Sequence, residues 1–476
     1  MVTPATFGSE DVPPDFGNSP TPELTSYGLR RGILSPMETL AQSVSTIAPT
    51  TTPVATIPLV CALAGNGTWL AYVIATGAIL LVAWCVGRFA QYSSSPGSLY
   101  TYTEMVMPRW VSAVAAWSLL LAYVATGSSV MGGFYQYANL LLRDATGHVV
   151  STVALVAIVA GVSVWIAWRD IKISARLMLW IEAVSLVFIL TVVILVLARH
   201  GSHWDRSQLH LTGMTGSGLR LGLVLALFSF VGFESATTLG SEAHNPLQTI
   251  PRAVIRSAML GGAFFIVCAY VEVLGFGVVG QNLGASDAPM HVLAIVAHAP
   301  ALGSLIDVGA VISLFACTLG CITAAARVLM LMAHNGLAHG SLRTTHSRNQ
   351  TPHLAVLAAG IAAGLPVAIL ALRGASGLDV YGWMGSLATY GFIVAYALVC
   401  LALPRYLRAH GTGGMTSRMV SLLASVAMLL ALVGNLYPMP VGIYGKLPYV
   451  YLAYLALGLF WVGITSRRRR MIAEAD

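Results

Sequence analysis

"IAPTTTPVATIP", residues 47–58, places three prolines and four threonines inside a stretch that is otherwise apolar enough to cross a membrane. Proline lacks the backbone N–H that a helix needs and clashes with the preceding turn, so each one strains or breaks a helix. Just before this stretch, Ser35 can cap a helix and Pro36 can take the first helical position. We therefore predict a half-helix that ends near Ile47, a few extended residues, and a second half-helix to about Cys61.

A proline-kinked helix is the alternative, with the threonine hydroxyls bonded back to carbonyl groups of their own helix. Three prolines beside a threonine triplet favour a true break. Non-helical backbone survives at membrane depth only where it faces protein or a water-filled cavity, because hydrocarbon leaves its polar groups without partners. A break of this kind predicts a polar site in the interior of a helical bundle.

The composition is that of a protein that crosses the membrane many times. Of the 476 residues, 57% are hydrophobic and 9% are charged. An average soluble domain carries about 25% charged residues, so this chain cannot cover a water-facing surface. Apolar runs near the length of about 20 residues that spans a bilayer recur along nearly the whole chain.

Twelve membrane spans are predicted, which puts both chain termini on one side of the membrane. If that side is the cytoplasm, the internal segments carry nineteen of the 25 Lys and Arg residues and the external segments carry six. This asymmetry follows the positive-inside rule, so we expect an all-α, multi-pass protein of the inner or plasma membrane with cytoplasmic N- and C-termini. The predicted spans are 37–62, 68–90, 110–142, 149–168, 174–199, 217–240, 252–280, 301–333, 353–373, 378–403, 418–437 and 447–466.

The charge pattern and the missing motifs argue against several other classes of protein. The formal net charge of +7 comes from residues in short loops and at span ends, including the RRRR run at Arg467–Arg470, so no nucleic-acid partner is expected. No P-loop, His-Glu-x-x-His or Gly-x-Ser-x-Gly motif occurs, which speaks against an ATPase domain or a hydrolase. The six cysteines are expected to pack as small apolar side chains. We expect no catalytic residue, no metal and no cofactor.

A second anomaly interrupts the sixth span, in LALFSFVGFESATTLGSEAHNP, residues 225–246. Gly232 and Glu234 stand within its aromatic run, and a glutamate at bilayer depth is costly unless it faces an interior cavity. Interrupted helices at the start of spans one to five and of spans six to ten indicate an inverted-repeat transporter with its site at the repeat interface. The predicted regions are a disordered cytoplasmic tail at 1–30, repeats at 31–200 and 210–403, spans eleven and twelve at 404–466, and a basic cytoplasmic tail at 467–476.

Four stretches together resemble the amino acid–polyamine–organocation (APC) superfamily, in its amino acid permease branch. FSFVGFESATTLGSEAHNPLQTIPRA (Phe228–Ala253) is similar to the sixth span and following loop of these permeases. SPGSLYTYTEMVMPRW (Ser95–Trp110), IKISARL (Ile171–Leu177) and AARVLMLMAHNGLAHGSL (Ala325–Leu342) agree with the family in order and spacing. The resemblance covers about 30–470. It implies a leucine-transporter-like fold of twelve transmembrane helices, a five-plus-five inverted repeat with broken helices one and six, plus two C-terminal helices.

By the same resemblance, the two breaks hold an amino acid or related amine. Many family members unwind span one at a Gly-Ser-Gly type sequence whose amides bind the substrate carboxylate. The matching positions here are Thr51, Thr52 and Pro53, and since Pro53 has no N–H, threonine hydroxyls are expected to replace one donor. At the second break, backbone carbonyls accept the substrate ammonium and Phe228 closes over the ligand.

Span ten adds GSLATYG (Gly385–Gly391), whose hydroxyl residues could line the site, although small-residue helix packing explains the motif equally well. The predicted substrate-binding residues are Ala48, Pro49, Thr50, Thr51, Thr52, Phe228, Ser229, Phe230, Val231, Gly232, Phe233, Glu234, Ser386 and Thr389.

Glu234 and Glu182 are the candidate proton-coupling residues. Glu234 either senses charge or protons, or satisfies free amides of the broken helix. Proton-coupled relatives often use a lysine in span five, which this span lacks, and Glu182 is its weak substitute, with structural pairing as the alternative. Burial disfavours a charged carboxylate, so we expect proton-coupled uptake or pH-dependent exchange, with sodium coupling or uncoupled exchange left open. Arg327 at the end of span eight suits either a gate ion pair or a simple anchor.

The sequence therefore favours a secondary transporter that works by alternating access in the lipid bilayer, as a monomer or homodimer, rather than an enzyme. The second candidate is a polyamine or cationic amino acid carrier. A membrane-embedded enzyme or receptor with a buried polar pocket is the alternative from a different class. Twelve spans, two breaks at repeat-equivalent places and the absence of a catalytic constellation disfavour it.

Overall fold

A computed structural model describes most of the chain. The predicted tail at 1–30 lies outside the described residues except for its last four, and residues 474–476 of the predicted basic tail lie outside them as well. The described residues are 27–169, 171–200, 205–437, 439–440 and 442–473.

Each of the twelve predicted spans contains helix, and the described residues contain no β-strand beyond an isolated parallel bridge between Leu34 and Ala243. Span one consists of α1 and α2, and span six begins with α9. Helices α4, α8 and α11 are short and lie between spans. The helices are α1 (Pro36–Ile47), α2 (Ile57–Ala64), α3 (Thr68–Ala90), α4 (Ser98–Glu104), α5 (Arg109–Thr146), α6 (Thr152–Arg169), α7 (Ile171–His200), α8 (Arg206–Leu209), α9 (Gly216–Phe228), α10 (Pro246–Val279), α11 (Pro289–Val296), α12 (Pro300–His334), α13 (His353–Leu372), α14 (Gly377–Ala409), α15 (Met415–Leu436) and α16 (Leu447–Ala473).

Ten helical stretches of the described chain are long and apolar enough to cross a membrane. One of them, Pro36–Ala90, contains both span one and span two, and α9 with its 13 residues is too short to qualify alone. Because α9 stops at the second break, its short length is what a broken sixth span requires. The helices therefore agree with twelve spans.

Span one is broken where the prolines predict. A capping box starts α1, with the Glu38 N–H donating to Ser35 Oγ at 3.2 Å and the Ser35 N–H donating to Glu38 Oε2 at 2.8 Å. The helix ends at Ala48, whose φ of 48° is left-handed.

The prediction of extended residues after this helix is wrong, because Thr52–Thr56 form a π-helical turn that leads directly into α2. Pro53 and Pro58 each stand in the first turn of their own segment. A missing N–H costs nothing at such a position, so the prolines do not force an extended chain.

Span six is broken at its glycine. Helix α9 ends at Phe228, and a 3₁₀ turn follows at Ser235–Leu239 before α10 begins. Gly232 has a φ of +96°, and a Cβ there would lie 2.4 Å from Cγ2 of Thr46. A glycine is therefore required both by the backbone conformation and by the close approach of span one. The prediction of two broken helices is confirmed.

The two breaks pack directly against each other. Ser43 Oγ of α1 donates to the Phe233 carbonyl at 2.6 Å, and Ser235 Oγ donates to Thr46 Oγ1 at 3.0 Å. Helices α5, α12 and α14 pack against one another or against these segments. Helix α15 packs against α14, α3 and α9, and α16 packs against α14 and α5. The two-fold relation between spans one to five and six to ten stays a prediction, and so do the domain boundaries.

The loop after span two is held by side-chain hydrogen bonds at the predicted cytoplasmic end of the bundle. The Tyr100 hydroxyl and the Asn335 amide donate to the two oxygens of Glu104, at 3.0 and 2.7 Å. Burial raises the pKa of Glu104, although these hydrogen bonds oppose the shift. These contacts give the loop a structural role.

Candidate functional site

A small enclosed cavity lies between the two breaks. The cavity volume is about 10 Å³, which leaves room for about one water molecule. Admission of an amino acid therefore requires the surrounding helices to move apart. The cavity is lined by Thr46, Ile47, Thr51, Thr52, Thr126, Val130, Phe228, Ser229, Val231, Cys317 and Tyr381.

The structure brings five of the predicted binding residues to this cavity, from both breaks. The other predicted residues are placed around it rather than on its wall. Ser386 and Thr389 of span ten belong to this second group, and the Thr389 hydroxyl donates to the Gly385 carbonyl of its own helix at 2.8 Å. The five on the wall are Thr51, Thr52, Phe228, Ser229 and Val231. The others are Ala48, Pro49, Thr50, Phe230, Gly232, Phe233, Glu234, Ser386 and Thr389.

The three consecutive threonines of span one have three different surroundings. Thr50 Oγ1 donates to Glu182 Oε2 of span five at 3.0 Å. Thr51 Oγ1 donates to the Ala48 carbonyl at 2.8 Å, within the break. The Thr52 hydroxyl is buried without a hydrogen-bond partner among the described residues, and the residue lines the cavity. An unpaired hydroxyl in a cavity wall is suited to bind a ligand, because burial without a partner is unfavourable.

Glu182 connects three spans. Its carboxyl group accepts hydrogen bonds from Thr50 in the break of span one and from Ser313 in span eight. The side chain is buried, with 1% of the residue exposed. The carboxyl group therefore lies directly behind the broken backbone and is connected to it by the hydrogen bond from Thr50.

Aromatic rings close one side of the cavity. The Phe228 ring meets Tyr381 edge-to-face, with centroids 5.7 Å apart and an interplanar angle of 75°. The Tyr381 hydroxyl pairs with Thr56 Oγ1 at 2.8 Å. A Cβ at Gly385 would lie 2.7 Å from Phe228 Cε1, so the glycine of span ten lets the ring rest on that helix. The small size of Gly385 therefore serves close packing.

Glu234 lies away from the cavity wall. It is fully buried and accepts hydrogen bonds from the hydroxyls of Tyr123 at 2.7 Å and Tyr396 at 2.6 Å. The neighbouring rings pack outward as well, with Phe230 against Phe265 and Phe233 against Tyr396. These contacts tie the broken sixth span to spans three and ten.

Arg327 forms a buried ion pair beneath the site. Its Nε lies 2.7 Å from Glu242 Oε2, both side chains are 1% exposed, and Nη2 donates to Oε1 at 2.9 Å. A bidentate pair of this kind fixes geometry as well as charge. Of the two interpretations of Arg327, the ion pair is the one that the structure contains.

Sequence reasoning missed six of the residues that line the cavity. Thr46 and Ile47 immediately precede the predicted break, so a wider window would have included them. Thr126 stands in the small-residue run ATGSSVMGG of span three, a sign of close packing that does not identify a site. Val130 belongs to the same run, and Cys317 carries no such sign. Tyr381, which also lines the cavity, lies outside the span-ten motif that was singled out.

Comparison with known proteins now assigns the chain to a family. The sequence profile of the family described as amino acid permease matches residues 39–476, so the chain belongs to that family. It is 25% identical to the branched-chain amino acid permease BcaP of Bacillus subtilis, over 61% of this chain and 65% of that protein. It is 24% identical to cationic amino acid transporter 4 of Mus musculus, over 71% of this chain and 54% of that protein. The chain thus matches less than two thirds of the length of these relatives.

The fold is shared with a solved structure. The crystal structure of MhsT in complex with L-phenylalanine superposes with a TM-score of 0.58 at 15% sequence identity, over 85% of this chain and 99% of that one. At this identity the similarity concerns the fold alone. It confirms the predicted leucine-transporter-like fold with broken helices.

Proposed function

We propose that this protein is a secondary transporter that moves an amino acid or related amine through the cavity by alternating access. The observation that carries the proposal is that both helix breaks meet at one closed cavity, with the unpaired Thr52 hydroxyl in its wall. Two of the similar proteins are named as amino acid carriers, for branched-chain and for cationic substrates, and a third was solved with L-phenylalanine. These names support an amino acid substrate.

The backbone of the second break supplies acceptors for the substrate ammonium. The carbonyls of Phe228 and Gly232 already accept the N–H groups of Val231 and Ser235, at 3.0 and 2.9 Å. The carbonyls of Ser229 and Val231, both residues of the cavity wall, are the ones we assign to the ammonium. On the span-one side, the Thr52 hydroxyl stands where the substrate carboxylate needs a donor that Pro53 cannot provide.

We further propose proton coupling at Glu182. An ionised carboxylate accepts both hydroxyl groups that reach it, whereas a protonated carboxyl group carries a donor of its own. Protonation weakens at least one of these two bonds, so the proton occupancy of Glu182 alters the hold on Thr50 and on the break. Glu234 is assigned a structural role, because it lies away from the cavity wall and each of its carboxylate oxygens accepts a hydrogen bond from a tyrosine hydroxyl.

Purified protein in proteoliposomes tests the two proposals separately. Exchange of labelled substrate for unlabelled substrate, with equal pH and equal salt on both sides, tests transport itself across a panel of neutral, cationic and polyamine substrates. An inward proton gradient should then drive uphill uptake in the wild type but not in Glu182→Gln, which should keep exchange. Uphill uptake driven by sodium alone, and unaffected by Glu182→Gln and Glu234→Gln, would refute proton coupling at either residue.

The cellular setting is proposed on the charge distribution. On this proposal the protein lies in the inner or plasma membrane with both termini in the cytoplasm, and it is a monomer or homodimer. Tags at the two ends should resist protease in intact cells and become cleavable after the membrane is opened. Cleavage of either tag in intact cells would contradict the proposed orientation.

A polyamine or cationic amino acid carrier remains the second candidate, since one relative is named for cationic amino acids.

A further inference from the structure

Glu272 of span seven is a buried carboxyl group without a partner. The residue is fully buried, and neither of its carboxyl oxygens has a hydrogen-bond partner among the described residues. The other three acids of the bundle interior discussed above are each satisfied: Glu182 by two hydroxyls, Glu234 by two phenols, and Glu242 by a guanidinium. Glu272 therefore needs a separate explanation.

An ionised carboxylate in these surroundings would be very unfavourable. Burial removes the water that stabilises the charge, and nothing in the described surroundings replaces it. Spans one, two and three and its own helix present Cys61, Tyr72, Tyr137 and Cys268, all neutral at ordinary pH. In this closed conformation Glu272 must carry its own proton.

His291 of α11 and Asp307 of span eight form a separate titratable pair. Asp307 Oδ2 lies 3.3 Å from Nδ1 of the His291 ring. The His291 side chain is 37% exposed and that of Asp307 is 3% exposed. Asp307 thus has a partner that reaches solvent, whereas Glu272 has neither a partner nor solvent while the bundle is closed.

Glu272 is connected to the moving parts of the proposed site. Its helix packs against the π-helical turn Thr52–Thr56 and against α2, which form the second half of broken span one. Its neighbour Tyr72 pairs through its hydroxyl with Ser229 of the cavity wall, at 3.0 Å. Separation of span one from this surface would admit water to Glu272. On the predicted orientation, that water comes from outside the cell.

We propose that Glu272 is a second proton-binding site, loaded from the outer side, and that its protonation is required for the outer half of the bundle to close. The inference rests on the proposed transport function and adds a proton site to the one at Glu182. When the outer side is open, water solvates the carboxylate and it exchanges its proton freely. When the outer side closes, only the protonated form can be buried, so a high external pH holds the transporter open.

Substrate exchange in proteoliposomes of the Glu182→Gln variant is the test, because that background removes the other proposed proton site. The internal pH is held constant while the external pH is raised from about 5.5 to about 8.5. We expect exchange to fall by up to about tenfold per pH unit once Glu272 ionises, as for any single titrating group. Addition of Glu272→Gln, which imitates the protonated form, should make exchange independent of external pH. The Asp307→Asn control should leave the dependence in place.

Each outcome decides the proposal. A flat external-pH profile in Glu182→Gln overturns it without need of a Glu272 variant, which covers the case that such a variant does not fold. An unchanged profile after Glu272→Gln, in protein that elutes as folded material from size exclusion, overturns it as well. Absence of exchange by the wild type, at every pH and for every substrate, would instead refute the proposed transport function.

Discussion

The Arg327 guanidinium of span eight forms a bidentate ion pair with the Glu242 carboxylate, which follows span six. Nε donates to Oε2 at 2.7 Å and Nη2 donates to Oε1 at 2.9 Å, and both side chains are 1% exposed. Glu242 also belongs to the turn that meets the start of the chain, because the Leu34 N–H donates to the Glu242 carbonyl at 2.9 Å. The pair therefore joins three segments at the predicted cytoplasmic end of the cavity.

Removal of one partner of this pair should be much worse than removal of both. Arg327→Met or Glu242→Gln alone leaves a buried charge uncompensated, which typically costs about 3–5 kcal/mol, whereas the double variant leaves none. Thermal unfolding in detergent should show a large drop in Tm for each single variant and a smaller drop for the double variant. Arg405→Met, at an exposed arginine, is the control. Additive losses of Tm would mean that the two charges do not interact.

Gly232→Ala should abolish transport and lower stability. The added Cβ has no room beside Thr46, and the positive φ is unfavourable for alanine. Gly161→Ala in span four is the matched control, since a Cβ there meets nothing within 4 Å. Uptake and Tm, measured for both variants, should separate them clearly. Wild-type behaviour of Gly232→Ala would show that the two breaks do not approach as closely as described.

Phe228→Ala should weaken substrate binding while expression stays intact. The substitution removes a ring that lines the cavity and packs on Tyr381, and aromatic contacts of this kind contribute about 0.5–1.5 kcal/mol beyond their buried area. We expect the KM for uptake to rise by up to about tenfold. Phe460→Ala removes an exposed ring from span twelve and should change nothing. An unaltered KM would remove Phe228 from the binding site.

Thr52→Val should raise KM without loss of stability. The variant keeps the side-chain shape but removes a hydroxyl that has no hydrogen-bond partner among the described residues. The only hydrogen bond that the substitution can remove is therefore one to a bound ligand. A lost hydrogen bond of about 0.5–1.5 kcal/mol corresponds to a KM increase of roughly two- to tenfold. Thr389→Val removes a hydroxyl that is bonded within its own helix and should leave KM unchanged. Equal effects of the two variants would argue against a ligand contact at Thr52.

Glu234→Gln should lower stability and keep proton-driven uptake. The carboxylate accepts bonds from Tyr123 and Tyr396, and an amide can accept only through its single oxygen, so one buried phenol loses its acceptor. The expected cost is about 1–3 kcal/mol, visible as a lower Tm. Uphill uptake under a proton gradient should persist. Loss of proton coupling with an unchanged Tm would move the coupling site from Glu182 to Glu234.

The two breaks and the succession of apolar helices could be predicted from the sequence because they follow from properties of single residues and short runs. Proline lacks its N–H wherever it stands, and Gly232 adopts a φ that other residues avoid. Apolar length and the placement of arginines likewise act locally and predict twelve spans. The π-helical turn at Thr52–Thr56 was the exception, since the choice between extended and π-helical backbone depends on what packs around it.

The residues that share the cavity were decided only by tertiary structure. Tyr381, Thr126 and Cys317 come from spans ten, three and eight, and membrane helices are apolar on both their lipid and their protein faces, so no periodicity reveals which side meets the breaks. Thr50 and Glu182 are 132 positions apart, and their hydrogen bond exists because spans one and five are brought together. The isolation of Glu272 is equally a tertiary property. Whether a buried carboxyl group has a partner depends on side chains from distant helices, and their distances are set by packing of the whole bundle.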